Sequence, residues 1–170
     1  MMIVRRESPE DRAAISSVHT AAFGTNGQDV AEARLVDDLR DEGDVIPGLS
    51  LVATVAGEVV GHVVCSRGRV AGRSLPGLGP LGVLPAHQNR GVGSALMHAV
   101  LAVVDALDEP AVVLLGEPSY YRRFGFVLAE PVGLLPPDPH WVPHFQVRPL
   151  HAWDDSLRGT FRYAPAFERL

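Results

Sequence analysis

The chain has 170 residues, of which 46% are hydrophobic and 21% charged, and its net charge of −5 fits one globular domain with a sizeable core. The acidic balance argues against a nucleic-acid partner, and the lack of a long apolar run argues against a membrane partner. The only cysteine is Cys65, no signal-peptide pattern is present, and lysine is absent. We therefore expect a cytoplasmic protein without an intrachain disulfide, a lysine nucleophile or a Walker A loop.

The first forty residues predict a short strand followed by two helices. Residues 3–4 suggest the strand, and residues 8–11 (Ser-Pro-Glu-Asp) are typical of a helix start with a capping serine, proline and acidic residues in the first turn. This helix is expected to end near Phe23. A second helix is expected over residues 30–40, because apolar residues recur at fourfold spacing from Ala31.

The next segment predicts a hairpin followed by a loop. Residues 51–56 and 59–65 are apolar and β-branched, and they flank a Gly-Glu turn. Residues 71–78 are rich in glycine, so we expect an irregular loop there. A short strand over residues 81–84 should follow, and it leads directly to the most informative stretch of the chain.

A strand–helix–strand unit is predicted in the middle of the chain. The helix should cover residues 92–107 between the strand at 81–84 and a continuous apolar strand at 111–115. Such a crossover makes the two strands parallel neighbours with right-handed connectivity. The residues that this helix is expected to bury are Leu96, Val100, Val103 and Leu107.

The C-terminal part predicts mostly irregular structure that packs on the rest of the chain. A short helix is expected at residues 119–124 and strands at 126–128 and 145–148. Six prolines lie between residues 130 and 149, which disfavours regular elements there. Its aromatic residues are too many for a disordered tail. Those expected to pack on the body are Trp141, Phe145, Trp153, Phe161, Tyr163 and Phe167.

Residues 83–96 predict a phosphate-binding loop. An apolar strand ends at a proline, a loop with two glycines follows, and an amphipathic helix begins. A helix N-terminus carries free N–H groups and the positive end of the macrodipole, which favour an anion. Gly91 and Gly93 remove side chains that would keep a diphosphate away from those amides, and Arg90 adds a cation.

Three phosphate-loop patterns can be compared with this stretch. The dinucleotide fingerprint requires a third glycine where Leu96 stands, and the Walker A loop requires a lysine, so both fit poorly. The pattern [Q/R]-x-x-G-x-[G/A] is met by residues 88–93 (Gln-Asn-Arg-Gly-Val-Gly). Three fixed positions make a weak signal by themselves, so the surrounding residues have to support it.

The surroundings of the loop resemble the GNAT superfamily of acyl-CoA-dependent N-acetyltransferases. The resemblance rests on residues 81–85 (Leu-Gly-Val-Leu-Pro), the loop at 88–93 and residues 120–126 (Tyr-Tyr-Arg-Arg-Phe-Gly-Phe). It covers nearly the whole chain and extends to the YhbS-type predicted acetyltransferases of bacteria. The segments that carry this extension are residues 22–24, 32–40, 115–126 and 159–167.

The resemblance implies an α/β fold with a mixed, strongly twisted sheet of six to seven strands and helices on both faces. Residues 1–130 would form the core, with residues 131–170 packed on it. Acetyl-CoA would lie in a wedge between residues 81–84 and 111–115, with its diphosphate on the loop amides. The residues implied to bind it are Leu81, Gly82, Val83, Gln88, Asn89, Arg90, Gly91, Val92, Gly93 and Ser94.

The resemblance also implies catalytic candidates. Tyr121 matches the family position of the general acid that protonates the leaving thiolate, and Tyr120 is the runner-up, although either ring could simply pack the cofactor or the core. For the base, Glu32 would border the acceptor pocket and Glu117 follows the last core strand. A water chain without a dedicated side chain is a further alternative. The histidines that qualify by chemistry are His19, His62 and His87.

The expected function is therefore transfer of an acetyl group to a primary amine of a small molecule or peptide. Alternatives are another acyl group or an oxygen acceptor, a non-catalytic acyl-CoA-binding module, and a toxin-type enzyme acting on aminoacyl-tRNA, which the acidic charge disfavours. No metal is expected, since Pro143 separates His140 from His144. Family members are often dimers, which leaves a homodimer open. The acceptor pocket should be built from the first two helices, residues 70–78 and the C-terminal aromatic segment.

Overall fold

Nine strands and four α-helices form in residues 1–25 and 30–170, the part of the chain that this computed structural model describes. The strands are β1 (Met2–Arg6), β2 (Val45–Val55), β3 (Glu58–Val70), β4 (Arg73–Val83), β5 (Ala111–Leu115), β6 (Val127–Leu128), β7 (Leu134–Leu135), β8 (Phe145–Pro149) and β9 (Gly159–Arg162). The helices are α1 (Arg12–Phe23), α2 (Ala31–Asp41), α3 (Val92–Ala106) and α4 (Pro118–Tyr121). Short 3-10 turns connect several of them.

The strands form a mixed sheet whose main path runs β1-β2-β3-β4-β5-β8-β6. Neighbours on this path are antiparallel except β4 and β5, which are parallel. This path confirms the mixed sheet predicted from the sequence. In addition, β9 pairs with the end of β3, and β7 pairs with β9. The sequence does not predict these two strands, because two and four residues are too few to show a period.

Helices cover both faces of the sheet, as predicted. On one face, Ile15 of α1 and Val36 of α2 pack with Val52 and Val64. On the opposite face, α3 packs on a cluster that includes Val63. Successive residues of a strand point to opposite faces, so neighbouring β3 residues serve different helices.

The buried stripe of α3 differs in part from the predicted one. Leu96, Val100 and Val104 recur every four residues and are fully buried. The prediction is confirmed for Leu96 and Val100. It is wrong for Val103, which is only partly buried, and for Leu107, which is 49% exposed. Leu107 lies just beyond the helix end, so the buried stripe continues through Val104 instead.

Of residues 71–78, expected to form a loop, residues 73–78 belong to β4. The tight turn at Ala71 and Gly72, both with positive φ, joins β3 to β4, and regular pairing resumes immediately after it. Glycine in this strand has a packing reason. A Cβ at Gly77 would lie 3.3 Å from the rings of Phe161 and Tyr163, so the glycine leaves room for aromatic residues from the C-terminal segment.

The C-terminal aromatic segment packs on the sheet, which confirms that expectation. Phe145 and Phe161 are buried in a cluster with Val70 and other strand residues. The fit is tightest at Gly68 of β3, where a Cβ would lie 2.1 Å from the ring of Phe161. The aromatic side chain therefore requires glycine at this position of the strand.

The helix boundaries lie close to the predicted ones. A 3-10 turn precedes α1, and its Asp11 carboxylate accepts hydrogen bonds from the Ser8 N–H at 2.7 Å and from the Arg5 guanidinium at 2.7 and 2.9 Å. These bonds hold the pKa of Asp11 well below its usual range. A 3-10 turn extends α4 to Phe124. No helix in the described residues is long and apolar enough to cross a membrane.

Candidate active site

The two parallel strands separate towards their C-terminal ends. In the described residues, β4 and β5 pair in register only at Gly77 and Val113, although β4 continues to Val83. The Leu84 N–H donates to the Val60 carbonyl at 2.8 Å, so alternation directs the backbone groups of Leu81 and Val83 away from β3. The second half of β4 thus presents a free backbone edge to the gap. This is the wedge predicted from the sequence.

A turn with free N–H groups closes one end of this gap, and we call residues 88–94 the phosphate loop. Asn89 and Gly91 have φ of 61° and 84°, and left-handed residues among right-handed ones form a concave nest of amides. In the described part of the chain, the N–H groups of residues 89–94 donate no hydrogen bond. The Gln88 side chain instead donates to the Val83 carbonyl at 3.1 Å. The loop therefore offers several amide donors beside the N-terminus of α3.

The two glycines of the phosphate loop are needed for different reasons. A Cβ at Gly91 would meet nothing within 4 Å, so the constraint there is its left-handed backbone. A Cβ at Gly93 would lie 3.0 Å from the Tyr120 hydroxyl oxygen. Gly93 therefore lets the Tyr120 side chain reach the start of α3.

The neighbouring tyrosines point to different places. Tyr120 reaches the phosphate loop, and the Arg123 guanidinium stacks 4.6 Å from the centre of its ring. Tyr121 lines the gap between β4 and β5, and its ring packs so closely on Gly116 that a Cβ there would lie 2.4 Å away. Burial raises the pKa of Tyr121 to about 12. Within residues 1–25 and 30–170, its hydroxyl has no hydrogen-bond partner, so it is a neutral and available donor.

A cavity of about 560 Å³ opens from the gap between the strands towards the end of α1 and the start of α2. Residues from β4, β5 and Tyr121 form one side of it, and the helices and the C-terminal segment form the other. The segments named from the sequence as the acceptor pocket, including the C-terminal one, meet here. The lining residues are Phe23, Glu32, Leu35, Leu78, Gly79, Pro80, Leu81, Leu114, Leu115, Tyr121, Trp141, Tyr163, Phe167, Glu168 and Leu170.

The structure separates the two predicted base candidates. Glu32, in the first turn of α2, lines the cavity together with Tyr121. Glu117 caps α4 and accepts a hydrogen bond from the Ser119 hydroxyl at 3.3 Å, outside the cavity lining. Glu168 is a second carboxylate on the cavity that sequence reasoning missed. The only signal for it was its place beside the aromatic segment at 159–167.

The histidine candidates His19 and His62 form a buried pair under β4. The His19 Nε2 lies 2.8 Å from the His62 Nδ1, and the His62 Nε2 lies 2.8 Å from the Ser50 hydroxyl. Burial lowers the pKa of His19 to about 4 and that of His62 well below its usual value, so both rings are neutral at neutral pH. A Cβ at Gly82 would lie 2.7 Å from the His19 Nδ1. The pair fixes α1 against β3 and β4, and neither ring lines the cavity.

Cys65, by contrast, is a core thiol. Its side chain is fully buried in the cluster between the sheet and α3, and burial raises the pKa of the thiol far above its usual value. A buried neutral thiol is inert as a nucleophile.

Comparison with known proteins agrees with this geometry. The model of the acetyltransferase (GNAT) domain matches residues 47–128. YhbS, an uncharacterized N-acetyltransferase of Escherichia coli K12, is 37% identical over 162 residues, covering 94% of this chain and 92% of YhbS. The chain belongs to the GNAT acetyltransferase family.

Two solved structures of GNAT proteins extend the comparison. The structure of Escherichia coli YhbS in complex with CoA has a TM-score of 0.89 and 34% identity, covering 99% of this chain and 93% of that one. A GNAT family acetyltransferase from Brucella melitensis, in complex with acetyl-CoA, has a TM-score of 0.80 and 35% identity over 98% of each chain. The fold is therefore the GNAT fold, and the chain is an acetyltransferase.

Proposed function

We propose that this chain transfers an acetyl group from acetyl-CoA to a primary amine by direct attack of the amine on the thioester. The observation that carries this proposal is the cavity where β4 and β5 separate. As far as residues 1–25 and 30–170 show, it has free amide donors at one end, and a neutral tyrosine and an unpaired carboxylate in its lining. The CoA and acetyl-CoA complexes of the two GNAT relatives support the choice of cosubstrate.

The residues present fit acetyl-CoA. The free backbone edge at Leu81 and Val83 suits the amide groups of the pantetheine arm, and the Val83 carbonyl can accept a second hydrogen bond beside that from Gln88. The amides of residues 89–94 suit the diphosphate, with exposed Arg90 as a nearby cation. Gly82 contributes differently, since its missing side chain leaves space for His19. Acetyl-CoA supplies an acetyl thioester, whose leaving group is a thiolate.

Tyr121 acts on the leaving group in this proposal. As the amine nitrogen bonds to the acyl carbon, the C–S bond breaks and negative charge develops on sulfur. A thiol has a pKa of about 8.5, whereas burial raises the pKa of Tyr121 to about 12. The Tyr121 hydroxyl therefore stabilises the thiolate by donating a hydrogen bond, and solvent completes its protonation. Tyr120, which reaches the phosphate loop, positions the cosubstrate instead.

Glu32 receives the proton from the amine. An amine must be neutral to attack, and at neutral pH it arrives as an ammonium. The Glu32 carboxylate lines the cavity and has no hydrogen-bond or ion-pair partner among the described residues. It is therefore free to bind the ammonium and to accept, directly or through a water molecule, the proton that leaves before attack. The second proton leaves the nitrogen as the amide forms and passes to solvent, which also protonates the departing thiolate. Glu117, outside the cavity lining, is the weaker candidate.

The experiment that tests this function compares Tyr121→Phe with Tyr120→Phe. Amine-dependent release of free thiol from acetyl-CoA gives kcat, and calorimetric titration gives the affinity for acetyl-CoA. Tyr121→Phe should lower kcat by about 100-fold with unchanged affinity, because only the donor to the thiolate is lost. Tyr120→Phe should lower kcat much less.

Two outcomes would contradict the proposal in different ways. Binding of acetyl-CoA without amine-dependent thiol release from the wild-type protein would indicate a non-catalytic binding module. Unchanged kcat in Tyr121→Phe would still agree with an acetyltransferase, but it would show that Tyr121 does not act on the leaving group.

A further inference from the structure

One wall of the cavity combines carboxylates with aromatic rings. We call it the acceptor wall, and its members come from α1, α2 and the C-terminal half of the chain. They are Phe23, Glu32, Trp141, Tyr163, Phe167 and Glu168. Among the described lining residues there is no arginine or histidine, so the ionised groups of this lining are both acidic.

The two carboxylates are not neutralised by the protein. Within the described ranges, neither Glu32 nor Glu168 forms a hydrogen bond or ion pair. The cation next to Glu168 in sequence is turned away, since Arg169 pairs with Glu42 and Asp38 of the α2 region. Glu32 is half-buried and Glu168 is exposed, so each carboxylate borders the cavity with access to solvent. The cationic group of a ligand would be attracted to both, since hydrogen bonds between ionised groups are the stronger ones.

The aromatic rings give the wall a fixed apolar surface. Tyr163 packs on Phe167 with ring centres 4.6 Å apart and on Phe161 with centres 4.7 Å apart, and Phe161 is anchored in the core. Elsewhere on the acceptor wall, Phe23 and Trp141 stay 44% and 37% exposed. Large aromatic faces left open around a cavity favour a ligand with an apolar body, and they also attract a cation to the ring faces.

We propose that the acetyl acceptor is a small primary amine with an apolar, preferably aromatic, body and no acidic group. This inference rests on the proposed function and narrows its substrate. The ammonium would lie between Glu32 and Glu168, and the body would pack on the rings of the acceptor wall. An α-amino acid would bring its carboxylate to two negative charges, and the described lining has no cationic side chain to receive it. A cavity of about 560 Å³, shared with the thioester end of acetyl-CoA, suits a small molecule better than a peptide.

A matched set of acceptors tests this class. Phenethylamine, phenylalanine and ethanolamine share a primary amine, but phenylalanine adds a carboxylate and ethanolamine lacks the aromatic body. With the wild-type protein and saturating acetyl-CoA, kcat/KM for phenethylamine should exceed that for each of the other two by at least about tenfold, as expected when a charge or an apolar body is mismatched to its site. An N-terminal peptide amine, glycyl-glycine amide, completes the set and should also be a poor acceptor.

Two variants separate binding from chemistry. Glu168→Gln should raise KM for phenethylamine about five- to tenfold with little change in kcat, because it removes a charge that binds the ammonium. Glu32→Gln should raise KM and also lower kcat, since it removes the proposed base. The control is Glu58→Gln, which changes an exposed glutamate at the start of β3 and should leave both constants unchanged. A purely structural role for Glu168 would not give a selective change in KM.

The results distinguish failure of this inference from failure of the proposed function. If acetyl-CoA binds and phenylalanine, ethanolamine or the peptide amine is acetylated as well as phenethylamine or better, the enzyme stands and the acceptor class is wrong. If acetyl-CoA binds and no member of the set is acetylated, the acceptor class is wrong and the proposed transfer to a primary amine fails with it. If acetyl-CoA does not bind, the proposed function itself fails.

Discussion

The two sides of the cavity are built in different ways. The side proposed to hold acetyl-CoA comes from one continuous stretch, residues 81–96, where a strand edge, the phosphate loop and a helix N-terminus follow one another. The acceptor wall is assembled from the end of α1, the start of α2, a 3-10 turn at Pro139–His144 and residues 163–168. The continuous stretch of residues 81–96 can keep its geometry when a substitution changes the acceptor wall. The two sides should therefore respond separately to substitution.

The largest effect, on the free energy of unfolding, should come from Gly68→Val, which disrupts the packing that anchors the acceptor wall. A Cβ at Gly68 would lie 2.1 Å from the Phe161 ring, so the side chain would displace β9 and the residues that follow it. We expect a loss of more than about 3 kcal/mol in the free energy of unfolding, as for severe overpacking of a core. Urea unfolding measures it.

Adding Phe161→Ala provides the control for this prediction. The double variant should be more stable than the sum of the two single effects predicts, because the second change removes the clash with the ring and leaves only the 2.9 Å approach to the Arg162 carbonyl oxygen. Strict additivity, or a Gly68→Val protein as stable as the wild type, would show that the ring does not hold the segment in place.

The next effect concerns the histidine pair that joins the two sides, since His19 lies on α1 and packs on β4. Burial lowers the pKa of His19 to about 4, whereas in the unfolded chain the value is near 6.5. The unfolded state therefore takes up protons first as pH falls. The contribution of this pair to the free energy of unfolding should be at its maximum above pH 6.5. It should decrease between pH 6.5 and pH 4, by up to about 3 kcal/mol.

Urea midpoints measured from pH 7.5 to pH 4 test this pH dependence. A His19→Gln/His62→Gln variant should lose most of the slope in that window, whatever its absolute stability. The lowered pKa of Asp11 reduces stability mainly below about pH 3.8, and the raised pKa of His151 changes stability above about pH 6.5. Both groups remain in the double variant, so the difference between the two slopes reports the histidine pair. A wild-type midpoint that stays flat down to pH 4 would contradict neutral, buried imidazoles.

A smaller effect, on the affinity for acetyl-CoA, should follow from Gly91→Val, which changes the phosphate loop alone. The left-handed backbone at Gly91 costs a residue with a side chain about 1–2 kcal/mol, so relaxation of the loop should weaken acetyl-CoA binding about 10- to 30-fold. Adding Gly93→Val should weaken it further, because Tyr120 would be displaced.

Gly43→Val is the matched control for the loop. Gly43 also has a left-handed backbone, with φ of 77°, and a Cβ there would meet nothing within 4 Å, but it lies after α2 and outside the loop. It should cost similar stability and leave the affinity unchanged. Equal acetyl-CoA affinities for both variants and the wild type would show that the diphosphate does not bind at the phosphate loop.

The smallest effect should come from Trp141→Ala on the acceptor wall. Removal of one partly exposed ring should raise KM for an aromatic amine about threefold, with no change in the affinity for acetyl-CoA. Trp153 packs against the buried cluster that contains Phe145 and Phe161. Trp153→Phe should therefore change neither the KM for the amine nor the affinity for acetyl-CoA. A loss of acetyl-CoA affinity in Trp141→Ala would show that the two sides are not independent.

The same comparison explains what the sequence can and cannot predict. The phosphate loop was predictable because its glycines, proline and helix start act on their immediate neighbours. The parallel pair of strands followed from apolar runs around one crossover helix, and the mixed sheet followed from the family resemblance. The strand at residues 73–78 was missed because Gly77 accommodates rings that arrive from the distant C-terminal segment. Glu168 was missed for the same reason, since only tertiary packing brings it to the cavity with Glu32.

The most direct test of the account is a calorimetric titration of the purified protein with acetyl-CoA, beside NADH and ATP. The account predicts tight binding of one acetyl-CoA per chain, with no comparable binding of the other two, because the strand edge beside the loop suits a pantetheine arm. Absence of acetyl-CoA binding, or equal binding of all three ligands, would contradict the central claim that the gap between β4 and β5 is an acetyl-CoA site.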